Sequence, residues 1–239
     1  MARDIVVIGA SAGGVTALRQ LVGGFPPGWN AAVFVALHMP ATGTSFLPRI
    51  LSQAGPLTVK HPMDGEPITP GIVCVAPPGS HMMLDDQRVS LVDDPRQSHC
   101  RPSVDTLFRS AAAALGPRVV GAILTGNLRD GSLGLSAIRS QGGATIVQDP
   151  CDARFPAMPL HARRTAGADH CVPLAEIAPL MVKLTTAQAI SDRGRGGALG
   201  VGSWRDLGEE SVDHRPRLVE DTCLSVAAGR REWRQALGP

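Results

Sequence analysis

Asp4-Ile5-Val6-Val7-Ile8-Gly9-Ala10-Ser11-Ala12-Gly13-Gly14 is the stretch on which the reading of this chain turns. Ile5 to Ile8 is a short apolar run of mostly β-branched residues, as expected of a buried strand. Gly9, Gly13 and Gly14 permit a tight turn, and Val15 to Val22 follows with apolar residues at helical spacing. Ser11 therefore falls on a sharp strand-to-helix turn between small residues. Such a turn lifts a hydroxyl above the sheet, where a base can take its proton and a substrate can reach it. The start of the helix adds free backbone N–H groups that can stabilise an oxyanion. Gly9 to Gly13 fits the G-x-S-x-G elbow in its strand–turn–helix setting. Two other readings compete. A dinucleotide-type phosphate cradle needs glycine where this chain has Ser11, and a plain βα turn needs only a capping serine. On this stretch alone all three stay open.

Working outward, the 239 residues are 44% hydrophobic and 18% charged, enough for a sizeable globular core. A formal net charge of +2 is too balanced to suggest nucleic acid or an anionic membrane surface. No signal peptide precedes the first strand and no apolar run is long enough to cross a membrane, so a cytoplasmic protein is expected. The five cysteines lack C-x-x-C spacing and support neither a zinc site nor a disulfide framework. Cys100 beside His99 is a candidate reactive pair, against the plainer reading of a solvated loop.

Further buried strands are expected at Ala31 to Leu37, Ile72 to Ala76, Val119 to Leu124, Gly143 to Gln148 and Ala168 to Val172. Helices are expected at Phe46 to Leu51, from a Ser103 cap to about Leu115, from Leu133 to Ile138 and from Pro173 to Leu184. His61 to Gly71 reads as loop and Ser80 to Val92 as an antiparallel hairpin, in which His81 is structural. Phe155 to Pro159 reads either as a rigid apolar loop walling a cleft or as a helix entrance. The alternation predicts an α/β fold: a doubly wound, mostly parallel sheet with helices on both faces and a small antiparallel hairpin. Residues 1–184 form the expected catalytic domain. From 185 to 239 glycine-rich and mixed-charge sequence predicts a disordered or loosely docked tail, with a docking helix conceivable at Leu218 to Leu237.

His38 ends the second strand and Asp130 follows the strand at Val119 to Leu124, at the edge where α/β sheets bind ligands. Taken singly, His38 reads as a rim histidine and Asp130 as a helix-capping carboxylate. Together with Ser11 they make a nucleophile, a base and an orienting acid on one sheet edge, in the order Ser…His…Asp. A hydrolase-like order using His161 or His170 remains formally available.

At this point the chain resembles the catalytic domain of the chemotaxis protein-glutamate methylesterases, the CheB family, over roughly Asp4 to Leu184. The resemblance rests on Ile8-Gly9-Ala10-Ser11-Ala12-Gly13-Gly14, His38-Met39-Pro40, Arg101-Pro102-Ser103-Val104-Asp105, Leu124-Thr125-Gly126 with Asp130-Gly131, and Gln148-Asp149-Pro150 with Phe155 to Pro159. It implies Ser11 as nucleophile, His38 as general base and Asp130 as orienting acid. It implies hydrolysis of γ-glutamyl methyl esters on cytoplasmic chemoreceptor helices, releasing methanol, and deamidation of certain glutamines. No metal or cofactor is implied, nor nucleic acid, nor membrane insertion. The backbone near Ala12 and Asn127 is the expected oxyanion site, and Phe155 and Met158 the expected apolar wall beside the methyl group. Family members commonly read Thr-Gly-Met-Gly where this chain has Thr125-Gly126-Asn127-Leu128. No receiver domain precedes Asp4, so either constant activity or control by a separate receiver-domain regulator is expected. The competing expectation is a catalytically weak or inactive partner module on the same fold.

Overall fold

In the computed structural model, which describes residues 3–40, 42–93 and 100–193, alternation along the first strand explains the layering. The chain begins β1 (Ile5–Ala10), α1 (Gly14–Gly23), β2 (Ala32–Leu37), α2 (Leu47–Ser52), β3 (Thr58–Lys60), β4 (Ile72–Val75), β5 (His81–Leu84) and β6 (Val89–Val92). It continues α3 (Val104–Leu115), a short 3-10 turn, β7 (Val119–Ile123), α4 (Ser132–Ser140), β8 (Ala144–Gln148), α5 (Ala157–Ala166), β9 (His170–Val172) and α6 (Leu174–Arg193). Seven strands form one parallel sheet in the order β3-β4-β2-β1-β7-β8-β9, and β5 and β6 form a separate antiparallel pair.

Successive side chains of a strand point to opposite faces. Val6 and Ile8 of β1 join Val33 and Val35 of β2 in a core with Leu18, Leu21, Ile177 and Met181 of α1 and α6. Ile5 and Val7 join Phe34 in the opposite core with Leu107 and Phe108 of α3, Leu135 of α4 and Ala162 of α5. A sheet covered on both faces buries every position of its central strands, so β1, β2, β7 and β8 are buried throughout and are mostly apolar.

The expected α/β class and its parallel sheet are what the chain adopts. Three local details go beyond those expectations, and one of them corrects a helix end. His61 to Gly71 is loop as expected, but Thr58–Lys60 just before it adds an edge strand. Of the two readings of Phe155 to Pro159, the helix entrance holds: α5 starts at Ala157, with Pro156 as its cap and Pro159 in its first turn, where proline is tolerated. Helix α6 runs on to Arg193, past the expected end at Leu184, and the compact unit spans Met1–Gly196. The remainder of the tail expected from residue 185, with its conceivable docking helix, lies outside the described residues. Among the described residues no helix is long and apolar enough to cross a membrane.

Candidate active site

Strands β2, β1 and β7 are adjacent at the centre of the sheet and run in one direction. Their carboxyl ends therefore open onto one edge, and the loops leaving them carry His38, Ser11 and Asp130. After β1 the chain turns at once into α1. Gly13 takes φ 75°, a left-handed conformation that costs glycine nothing, and a Cβ there would meet the Phe155 ring at 3.1 Å. The turn is clipped to the loop after β7: the Ser11 N–H donates to the Thr125 carbonyl at 3.0 Å and the Thr125 hydroxyl donates to the Ala12 carbonyl at 3.1 Å. Gly126 follows, and a Cβ on it would lie 2.9 Å from the Ser11 Cβ and 2.5 Å from the Met158 sulfur. The His38 N–H donates to the Ala10 carbonyl at 3.3 Å, carrying the β1–β2 ladder one step past the strands.

These constraints bring the three expected residues together. The Ser11 Oγ is 3.0 Å from His38 Nδ1, and His38 Nε2 is 2.7 Å from Asp130 Oδ2. An ionised carboxylate only accepts hydrogen bonds, so Nε2 carries a proton and, in the neutral ring, Nδ1 keeps its lone pair for the serine O–H. Burial alone would push His38 down, but the hydrogen bonds to Asp130 and Cys100 and their charges raise it from 6.5 to about 9.

Asp130 does not cap the helix that follows it; Gly131 occupies that cap. It sits instead at the start of α3. Its Oδ1 accepts from the Ser103 hydroxyl at 3.0 Å and the Asp105 N–H at 3.0 Å, and its Oδ2 accepts from the Val104 N–H at 2.7 Å. With His38, four donors converge on one carboxylate that is 2% exposed. Burial opposes its ionisation, yet the His38 bond and the helix N–H groups hold it below the usual carboxylate range. Ser103 also caps α3 as expected, accepting from the Thr106 N–H at 3.4 Å. His81, buried, accepts from the Ser103 N–H at 3.2 Å and so belongs to this support, as its structural reading anticipated.

A second tier holds the β7 loop. Gln148 accepts from the Thr125 N–H at 2.8 Å and donates to Asp152 at 2.8 Å, while Thr125 Oγ1 accepts from the Phe155 N–H at 2.9 Å. From sequence, Ser103 had a role only as a helix cap, and Thr125, Gln148 and Asp152 none. Ser103, Thr125 and Gln148 were signalled further only by membership of the Arg101-Pro102-Ser103-Val104-Asp105, Leu124-Thr125-Gly126 and Gln148-Asp149-Pro150 segments, and Asp152 by nothing.

The other candidates divide. The Ala12 N–H precedes α1 and has no hydrogen-bond acceptor among the described residues. Asn127 is exposed beside Gly126, and Leu128 next to it takes φ 69° with its side chain 63% exposed. Phe155 is half-buried, with its ring against Gly13 on the flank of the nucleophile turn. Met158 is a correction: at 0% exposure it lies inside the core under Gly126, because the first turn of α5 points it down onto the sheet. It supports the loop from beneath and offers nothing to a substrate. Cys100, half-buried, lies beside His38 rather than in a solvated loop, whereas its neighbour His99 is outside the described residues. A His38 ring nitrogen, the Cys100 Sγ and an Asp130 oxygen lie within 4.8 Å of one another, and this is the one set of three potential metal ligands found among the described residues.

The family described as CheB methylesterase matches residues 6–181. The chain is 38% identical over 185 residues to protein-glutamate methylesterase/protein-glutamine glutaminase 4 of Anaeromyxobacter dehalogenans, a match covering 76% of this chain and 52% of that protein. It is 39% identical over 188 residues to a protein of the same description from Moorella thermoacetica, covering 77% of this chain and 44% of the relative. The chain thus spans about half the length of these relatives. The crystal structure of the Thermotoga maritima CheB methylesterase catalytic domain superposes with a TM-score of 0.74 at 30% identity, covering 77% of this chain and 100% of that one.

Proposed function

Because the chain belongs to the CheB methylesterase family, we propose that it is a serine hydrolase that cleaves γ-glutamyl methyl esters, and deamidates glutamines, on the cytoplasmic helices of methylated chemoreceptors. One observation carries the reading: a hydroxyl, an imidazole and a buried carboxylate in series at 3.0 and 2.7 Å.

In this proposal neutral His38 takes the Ser11 proton through Nδ1 as Oγ attacks the ester carbonyl carbon. Asp130 stays ionised and steadies the imidazolium that forms. The carbonyl oxygen, now negative, is received by the Ala12 N–H and by the Asn127 N–H next to Gly126; losing one such donor typically costs about 10²–10³ in rate. As the tetrahedral carbon collapses, His38 returns its proton to the leaving methoxide and methanol departs. Water then attacks the glutamyl-Ser11 ester as His38 takes a proton from it, and His38 passes that proton to Ser11 Oγ as the free glutamate side chain leaves. With glutamine the first leaving group is ammonia. Phe155, flanking the Ser11 turn, is the proposed apolar neighbour of the ester methyl.

The cytoplasm is the proposed site of action, since receptor methyl esters lie there. A phosphorylated receiver domain is the proposed regulator, tested by turnover with and without such a protein supplied in trans.

Ser11→Ala tests the reading directly. Methanol release from methylated receptor should vanish while the circular-dichroism spectrum and melting temperature stay as in the parent. Turnover near the parent rate in that variant removes Ser11 from the mechanism. A fluorophosphonate that labels the parent and not the variant separates an active esterase from an inert binding module.

A further inference from the structure

Cys100 is a side chain beside His38 for which the proposed chemistry has no use. It belongs to the approach to α3 and is half-buried. Together with Asp130 it completes a set of three ligand atoms, sulfur, imidazole nitrogen and carboxylate oxygen, mutually within 4.8 Å. Cys, His and Asp are the side chains that hold zinc, at about 2.3, 2.0 and 2.1 Å, which in a tetrahedron sets the ligands about 3.3–3.7 Å apart. Reaching that spacing asks His38 Nε2 and Asp130 Oδ2, now 2.7 Å apart, to part by roughly half an ångström, and the longer pairs, within 4.8 Å, to close by about an ångström per side chain at most. A fourth position is left open for water.

The charges also suit such an ion. A thiolate and a carboxylate neutralise a divalent cation, so the pocket would bury no net charge, whereas unpaired charge there is expensive. Asp130 is oriented by the Val104 and Asp105 N–H groups and the Ser103 hydroxyl, and this support stays in place when the carboxylate turns from imidazole to metal. A soft sulfur ligand discriminates against magnesium and calcium.

We propose that Cys100, His38 and Asp130 form an inhibitory site for a thiophilic divalent cation of the zinc class. On binding, the Cys100 thiol gives its proton to solvent and its sulfur lone pair to the metal. His38 gives the metal the lone pair of the nitrogen that faces Asp130, Nε2, and the ring proton moves to Nδ1. The nitrogen facing Ser11 then carries a proton and cannot receive one, so the nucleophile loses its base. The three ligands come from loops far apart in sequence, which is why cysteine spacing alone gives no hint of them.

Metal binding stands apart from the esterase reading; only the inhibition rests on it. The full chain, freed of metal, is titrated with cadmium while the ultraviolet thiolate-to-metal absorption is recorded. Methanol release is measured in parallel against zinc. The parent should develop the band at one equivalent and lose turnover over the same range, with magnesium inert. Cys100→Ser should lose the band and need at least about 10²-fold more zinc for half-inhibition of its own turnover, because losing even an outer-shell partner costs 10–100-fold in affinity. Cys171→Ser, altering an exposed thiol elsewhere, should behave as the parent. A band without turnover in the parent leaves the site standing and sinks the esterase reading alone. A band and zinc sensitivity unchanged in Cys100→Ser, or none in the parent, overturn the proposal.

Discussion

Asp130→Asn separates the two jobs of the buried carboxylate, because each of its oxygens faces a different pair of donors. Placed at Oδ1, the new NH2 meets the Ser103 hydroxyl, which can turn to accept, and the Asp105 N–H at 3.0 Å, which cannot. Placed at Oδ2, it meets the Val104 N–H at 2.7 Å and His38 Nε2 at 2.7 Å, and the latter accepts only in the tautomer that disables the base. The first placement has the longer donor–donor approach and keeps His38 in its working form, so it should prevail. One confronted buried N–H costs about 1–3 kcal/mol, which lowers the melting temperature by about 2–12 °C at 2–4 °C per kcal/mol. The rate falls further. A carboxylate about 4 Å from the imidazolium charge is worth about 4 kcal/mol at an effective dielectric of about 20, or about 10³ in kcat. The alternative placement, with the wrong tautomer, carries a loss of about 10⁴. Methanol release under saturating methylated receptor reads kcat, and thermal unfolding by circular dichroism reads stability. A variant that keeps kcat within tenfold of the parent refutes the argument that Asp130 steadies the imidazolium. One that melts at the parent temperature refutes the four-donor account of its socket.

Further tests follow from the same geometry. His38 must be neutral to act as base and is raised to about 9 by Asp130 and Cys100 against the pull of burial, so kcat/KM should climb with pH through a midpoint near 9 and level off only above it. A profile already flat from pH 7 counts against that environment. The same shift stabilises the fold fully below 6.5 and ceases to do so as pH rises through about 9. Leu128 at φ 69° should invert the usual ranking of small residues: glycine there is expected to outdo alanine by about 1 kcal/mol, or about 2–4 °C, since alanine keeps the left-handed strain. Both variants lose the same exposed side chain, so their difference isolates the backbone, and Leu128→Ala melting at or above Leu128→Gly rejects the strained-turn reading.

Local sequence carried the strand–turn–helix at Ser11 because apolar run, glycines and helical spacing are all contiguous there. It also carried His38, immediately beyond the buried strand β2, and Asp130, in the loop between β7 and α4. What it could not carry was the socket of Asp130. Ser103, Val104 and Asp105 reach it only because α3 packs against β1 and β7, a tertiary fact with no local trace. Met158 was misread for a related reason. Phe155 to Pro159 reads from sequence as either a loop or a helix entrance, and only the helical first turn of α5 aims Met158 inward. The edge strand Thr58–Lys60 is too short and too polar to declare itself. Cys100 lies close to His38 in space, but its sequence neighbour His99 suggested a different partner.

The central position of β2, β1 and β7 has a last consequence. Middle strands of a doubly covered sheet open only when the whole cooperative unit opens. The relay of Ser11, His38 and Asp130 therefore has no melting of its own. A weakening substitution in that unit that touches neither the relay nor its socket is felt as fewer competent molecules, each still running at full speed, and not as a population of slower ones.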